Sequence, residues 1–566
     1  MSAVFGRCAI AFALASGASV ACAGDHVFDS GFDDASEGPH SDAQSARFLT
    51  QSTFGATLPE ITRLRDLGYR AWLDEQYALP ASHHRPYLEA QAAAGLNVYQ
   101  NSRQEAWWLN AVNAPDQLRQ RVAFALSELF VVSDRNGSIE NEPIAMANYQ
   151  DVLVDGALGN YRTLLANVTL NPVMGHYLSM FKNRKSDATQ NIRPDENYAR
   201  EIMQLFSVGL VQLAPDGTPL LSNGQPIPTY DQDTIRGFAN VFTGWNWHAC
   251  PRPQGGQPWE WEYCPVGDFG WLLPMDSWES FHASDDNKQL TVYPGVALAG
   301  GVLPGGETAQ GDLDAALDNL FNHPNVPAFV ARHLIKRLVT GNPSAAFVGR
   351  VAAVFANNGL GVRGDLDATV RAMLLDPEAR ALPTLASNAG KLSEPLLRLS
   401  RLWRVFSARA DDGRYREWNP EGYLGQAPLR APTVFNFFLP DYQPPGELSS
   451  LGLDAPEFQI TTDTTIASTA NGLGAKVYYF WRGSDSQGPE DIVVDLAPEV
   501  ALAGDAVQLV DRFDLLFMNR TMSSFMFDTL VAYVQGMPSG SDAERRQRVQ
   551  DAVWLIQTSP EYVIER

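Results

Sequence analysis

"PDENYAREIMQLFSVGL", residues 194–210, decides how this chain is read. At 100° per residue, Asn197, Glu201 and Gln204 fall in one narrow sector. Glu196 and Arg200 lie four apart on an adjoining sector, acid before base. Ala199, Ile202, Met203, Leu205 and Phe206 cover the rest. A surface helix carries a wide polar face, so this narrow stripe predicts a packed helix whose polar groups face other polar groups or a wet cleft. A buried carboxylate is either paired or protonated. Two of them beside an arginine give the ingredients of acid–base chemistry, with Glu201 as acid or base, Glu196 as its partner and Arg200 as orienter or anion clamp. A structural ion-pair network that fixes helix packing uses the same residues.

Outward from this stretch the pattern stays helical. "DAQSARFLTQSTFG" has a cap-like Asp42, apolar spacing and Gly55 as a stop. "LPEITRLRDLGYRAWLDEQYA" is broken at Gly68. "PDQLRQRVAFALSELFVVS" aligns Leu118, Val122, Ala125, Leu126 and Leu129 on one stripe. "VPAFVARHLIKRLVTG", "PSAAFVGRVAAVFANNG", "KLSEPLLRLSRLWRVFSA" and "AERRQRVQDAVWLIQTSPEYV" follow the same period. Only "GAKVYYFW" and "EDIVVDLAPEVALAG" admit short strands. The expectation is a mainly α, large multi-helix globular fold with a few short strands over 43–566, with room for two packed subdomains. No βαβ alternation, G-x-S-x-G or H-E-x-x-H occurs, which removes the common dinucleotide, hydrolase and zinc-protease readings.

The first 23 residues read as a signal peptide, with "ACA" at 21–23 as the cleavage site. A secreted or periplasmic protein follows. Residues 24–42 hold six acidic residues and no Lys or Arg, the composition of an acidic disordered linker. Past the signal only Cys250 and Cys264 remain, and an even pair in an oxidising compartment reads as one disulfide. No later run is long and apolar enough for an integral membrane span. The net charge of −23 disfavours nucleic acid and anionic membrane surfaces.

Other segments are polar where loops need not be. "YLSMFKNRK" supplies Asn183, Arg184 and Lys185. "YDQDTIRGFANVFTGWNWHAC" supplies Arg236, Trp245, Trp247 and His248, and "FHASDDNKQL" supplies His282, Asp285 and Lys288. "LGQAPLRAPTVFNFF" supplies Gln426 and Arg430. Indole faces beside amides and carboxylates suit carbohydrate, so these join Asn197 and Gln204 as binding candidates, with Trp245 and Trp247 as a platform. His248, His282 and Asp285 have metal-ligand chemistry, but no spacing rule supports a site, and no metal is expected. The sequence names no cofactor.

The chain resembles the bacterial domain of unknown function (DUF) family 1800. The likeness rests on "ARFLTQSTFGAT", "ENYAREIMQLFSVGL", "VFTGW", the H…D…K loop at 282–288, "HPNVPAFVARHLIKRLV", "LGQAPLRAPTVFNFF" and the closing "TSPEYV", in the family's order. The family pattern differs at Asp195, at Gln204, where Glu is frequent, and at Asn436–Phe438, where Gly-Trp-Pro is frequent. The resemblance implies an extracytoplasmic protein that often accompanies a sulfatase-like partner, and implies no established activity. Two functions are carried forward. One is an enzyme acting on a polar polymer or an anionic fragment, such as polysaccharide. The other is a non-catalytic scaffold or partner of a sulfatase-like secreted protein.

Overall fold

A computed structural model describes residues 38–248, 261–262, 268–382, 390–484 and 487–565. Among them are 25 α-helices and four two-stranded antiparallel ladders, so the mainly α expectation holds. No helix among the described residues is long and apolar enough to cross a membrane. Cys250 and Cys264, and residues 1–37, lie outside the described residues.

Local chemistry explains most helix starts. The hydroxyls of Ser41, Thr57, Ser344 and Ser541 and the carboxylates of Asp231 and Asp365 each accept from a backbone N–H in the first turn. The cap of the first helix is therefore Ser41, with Asp42 inside the first turn, where its charge suits the helix dipole. The packed chain begins slightly earlier than expected, because Gly38 and Pro39 are buried and the Gly38 carbonyl accepts from Tyr69 N–H at 3.0 Å. Gly68 separates Leu58–Leu67 from Tyr69–Ala78, as its position suggested.

Both strand expectations need correction. "GAKVYYFW" runs to Tyr478 inside the helix Asp463–Tyr478. A Thr462/Thr465 capping box starts that helix, and packing of Leu473 and Val477 in the core overrides the β preference of the local run. In "EDIVVDLAPEVALAG" only isolated bridges form, Val493 to Arg409 and Val494 to Trp481, before the helix Ala497–Leu502.

Two interlocked cores hold the helices. The larger spans Ala46 to Ala379 with Leu429 added, and the second is mostly C-terminal, from Leu396 to Tyr562. Phe54, Trp107, Trp108 and Phe124 cross into the second, and Leu515 and Leu516 cross into the first. The stripe Leu118, Val122, Ala125, Leu126 and Leu129 is buried, as its period required. Two glycines set the framework near the candidate site. A Cβ on Gly237 would lie 1.9 Å from the Gln289 carbonyl oxygen, so the helix Gln232–Val241 sits directly on the ladder Lys288–Gln289. Gly244, at φ 84°, lets the chain turn against His282 and the Trp278 carbonyl, each 2.9 Å from where a Cβ would stand.

Candidate functional site

The decisive stretch forms an eight-residue helix, Asn197–Gln204, shorter than its apolar period suggests. Tyr198, Ala199, Ile202 and Met203 bury against the larger core. Its polar side splits into two parts with different chemistry.

The first part is closed. Arg200 donates to Glu196 Oε2 at 2.5 Å, and Gln232 Nε2 donates to both Glu196 oxygens at 3.0 Å. Arg200 also donates to Gln232 Oε1 at 3.1 Å. Burial works against the Glu196 charge, but the bonds from Gln232 and Arg200 prevail and hold its carboxyl below the usual range. Arg200 is therefore engaged, while Arg236 stands apart on the surface with Asp233 at 3.0 Å.

The second part is open. Glu201 is 8 % exposed, yet its Oε2 is buried without a hydrogen-bond partner. Burial pushes its carboxyl upward, and Arg200 only partly offsets this. Asn197 and Gln204 flank it on the same stripe, half-buried, and their side-chain amides make no hydrogen bond among the described residues. Tyr177 and Tyr230 border Glu201, and burial together with its negative charge pushes both phenols up to about 12. The short segment Tyr230–Gln232 thus touches both regimes, Tyr230 beside Glu201 and Gln232 on Glu196. A surface recess of 460 Å³ lined by Pro59, Thr62, Arg63 and Asp66 shares no residue with this stripe.

The companion segments separate. Trp245 is 1 % exposed and pairs with Ser277 in a ladder, so it cannot stack a ligand as expected. Trp247 remains half-buried in a four-ring cluster with His176, Phe181 and Trp271. His176 stacks on Phe181 at 4.0 Å and lies 4.5 Å from Trp271, and Trp247 meets Trp271 edge-on at 4.8 Å. His176 and Tyr177 end one helix, Pro172–Tyr177, so this cluster and the Glu201 neighbourhood meet there. His248 pairs with Asp276 at 3.3 Å.

His282 and Lys288 were expected to bind ligand with Asp285. Both are fully buried, and their acid is Asp312, with Nε2 at 2.8 Å and Nζ at 2.7 Å from Oδ2. His282 Nδ1 faces the Thr243 carbonyl at 2.9 Å. Asp285 is exposed on the adjoining turn. This triad is sealed and joins the loop to the helix Ala309–Phe321.

A second buried polar assembly escaped the sequence reading apart from Gln426. Arg121 and Lys391 both donate to the Arg337 carbonyl, at 2.8 and 2.6 Å. Gln426 donates to Glu394 at 2.6 Å, and the Arg337 guanidinium lies 3.4 Å from Glu128. Burial and the nearby Glu394 push the Glu128 carboxyl up against the pull of Arg337. Asn436 donates to Glu128 at 3.2 Å and Phe438 underlies Arg337, so the stretch that departs from the family pattern lines this junction. The sequence signal was the pairing of Lys336 and Arg337 on a helix, Val326–Leu338, that is otherwise apolar except for Arg332 and His333.

The family model described as "Protein of unknown function (DUF1800)" matches residues 47–564. The chain belongs to the DUF1800 family. No curated protein and no solved structure matches it. Within this DUF1800 chain the matched region contains the open stripe, the sealed triad and the buried junction.

Proposed function

We propose that this chain is a secreted or periplasmic enzyme, delivered by a signal peptide over 1–23, that performs acid–base chemistry on a polar polymer such as polysaccharide. One observation carries the reading: two carboxyls on one short helix have environments that drive them apart. Glu201 is held toward its protonated form by burial, and Glu196 is held ionised by Gln232 and Arg200. Glu201 is the proton donor, Glu196 the ionised partner, and the unpartnered amides of Asn197 and Gln204 take substrate hydroxyls. Arg200 acts as a positioning residue for Glu196.

The test is release of reducing ends or shortened chains from a panel of polysaccharides by wild type, Glu201→Gln and Gln232→Ala. Glu201→Gln should lose at least about a hundredfold in rate, the usual worth of a general acid. An unchanged rate in Glu201→Gln would remove the reading. One feature favours the second reading, a non-catalytic scaffold for a sulfatase-like secreted protein: the closed Glu196–Arg200–Gln232 set resembles a packing device. A folded wild type inert on every polymer, with co-purification of such a partner, supports that reading.

A further inference from the structure

The loop over residues 182–193 joins the four-ring cluster to the Glu201 helix, and its charge opposes that of the whole chain. It carries four basic residues and one acidic, a net +3, in a protein of net −23. The loop is held at both ends. Asn183 Oδ1 accepts from Asp195 N–H at 2.8 Å, two residues before the helix, and Asp187 and Ile192 exchange backbone bonds at 3.1 and 2.9 Å. Asp187 is occupied within its own turn by Thr189 and Gln190. Lys182 donates to the Glu262 carbonyl at 2.8 Å, and Arg184 approaches the Glu262 carboxylate at 3.7 Å. The Lys185 and Arg193 side chains make no ion pair or hydrogen bond among the described residues, and Arg193 is exposed. Arg200, the cation expected to clamp an anion, is closed against Glu196, so the uncommitted positive charge of this region sits in the loop.

On the other side of the loop, Phe181 stands in the ring cluster with Trp247 and Trp271, each half-buried. Burial pushes His176 down to about 4, so the cluster itself is uncharged near neutral pH. The loop starts on this cluster, with Lys182 N–H donating to the Trp245 carbonyl and its Nζ 5.2 Å from the Phe181 ring, and an apolar ring face with free cations on the adjoining loop is the complement of a sugar ring that carries an anionic substituent.

We propose that the substrate is an acidic polysaccharide, its ring stacked on Trp247 and Trp271 and its carboxylate or sulfate held by Lys185 and Arg193. The chemistry at Glu201 rests on the acid–base reading above; the binding rests on the loop and rings alone. A chain of net −23 repels polyanions in general, so retention of one requires a local site.

The experiment is affinity electrophoresis of the whole chain in gels containing polygalacturonate, dextran sulfate or neutral dextran. Wild type should be retarded by at least one polyanion and not by dextran. Polygalacturonate retention assigns a carboxylate and dextran sulfate retention a sulfate. Retention should weaken as salt rises, and Lys185→Gln with Arg193→Gln should cut the association constant about tenfold or more. Trp271→Ala should weaken it too, and since that change could perturb the fold, the double charge variant decides. Glu201→Gln should bind as wild type does. If that variant binds but still cleaves, the acid–base reading fails and this proposal stands. Equal retardation by dextran, no retardation by either polyanion, or an unaffected double variant overturns the proposal.

Discussion

Glu201 and Asp312 are both buried acids, and replacing each by its amide should move stability in opposite directions. Asp312 accepts from Lys288 and His282 at 2.7 and 2.8 Å, with all three side chains sealed from solvent. Asp312→Asn leaves a buried ammonium without its counter-charge, a loss on the order of 3–5 kcal/mol. With an unfolding entropy of roughly 2 cal/mol/K per residue, a cooperative unit of this size changes by about 1 kcal/mol per degree, so the midpoint should fall by about 3–5 °C. Glu201 has no such partner on its buried oxygen. Its amide isostere keeps a polar atom there but removes the buried negative charge, whose uncompensated desolvation costs about 1–3 kcal/mol or more. The pH dependence fixes the sign. Burial raises the folded carboxyl above its unfolded value. Below the unfolded value both states are protonated and the group costs nothing. As pH rises through the window between the two, the unfolded chain releases its proton first and the wild type loses stability. Glu201→Gln should therefore match wild type near pH 4 and exceed it by about 1–2 kcal/mol near pH 8. Urea unfolding of the three proteins at both pH values measures this. A Glu201→Gln variant less stable than wild type at pH 8 would refute the open-stripe reading, because it would mean the carboxylate has a partner charge.

Further outcomes follow from the same geometry. Lys288→Met with Asp312→Leu should recover most of the stability lost in Asp312→Asn, since a buried pair replaced by apolar groups is often neutral; urea midpoints of single and double variants measure the coupling. Gly237→Ala should cost several kcal/mol or abolish soluble expression, because its Cβ meets the Gln289 carbonyl at 1.9 Å and backbone must move. Arg337→Met removes the guanidinium beside Glu128 while the bonds from Arg121 and Lys391 to the backbone carbonyl of residue 337 remain, so it should destabilise by about 1–3 kcal/mol, with urea unfolding as the check. Acid should unfold the chain partly through His176, held near 4: stability is full above the ordinary 6.5 and is lost as pH falls toward 4, by up to about 2–3 kcal/mol, and His176→Phe should flatten that slope in melting curves taken between pH 7 and 4.

What the sequence revealed and what it hid follow from the range of the interactions. Helix existence is local: the period of Leu118 to Leu129 and the break at Gly68 need no knowledge of the rest of the chain. The stripe Asn197–Glu201–Gln204 was legible for the same reason, since helical geometry alone sets those three residues side by side. Partner identity is not local. Asp285 stood three residues from His282 and Lys288 and was the natural acid, yet Asp312 reaches them from another helix and Asp285 faces outward. Glu128 meets Arg337, and Glu394 meets Gln426, across separations that no periodicity encodes. The β preference of "GAKVYYFW" failed because tertiary burial of Leu473 and Val477 outweighs a local propensity of at most about 1 kcal/mol.

The consequence for function lies in where charge is left over. The sequence offered Arg200 as the clamp because a guanidinium beside carboxylates on one helix is conspicuous. Gln232, 36 residues away from Glu196, completes a closed set with it and removes that role. The same closure ionises Glu196, while Glu201, one turn further, has no comparable partner and is driven the other way. One long-range amide thus sets the Glu196 carboxyl apart from that of Glu201. It also shifts the uncommitted positive charge from the helix to Lys185 and Arg193 in the loop before it. Gln232→Ala separates these roles: it should free Arg200, weaken the hold on Glu196 and narrow the difference between the two carboxyls. A pH–rate profile that loses its separated limbs in that variant, with polyanion retention unchanged, would place the chemistry on the helix and the binding on the loop.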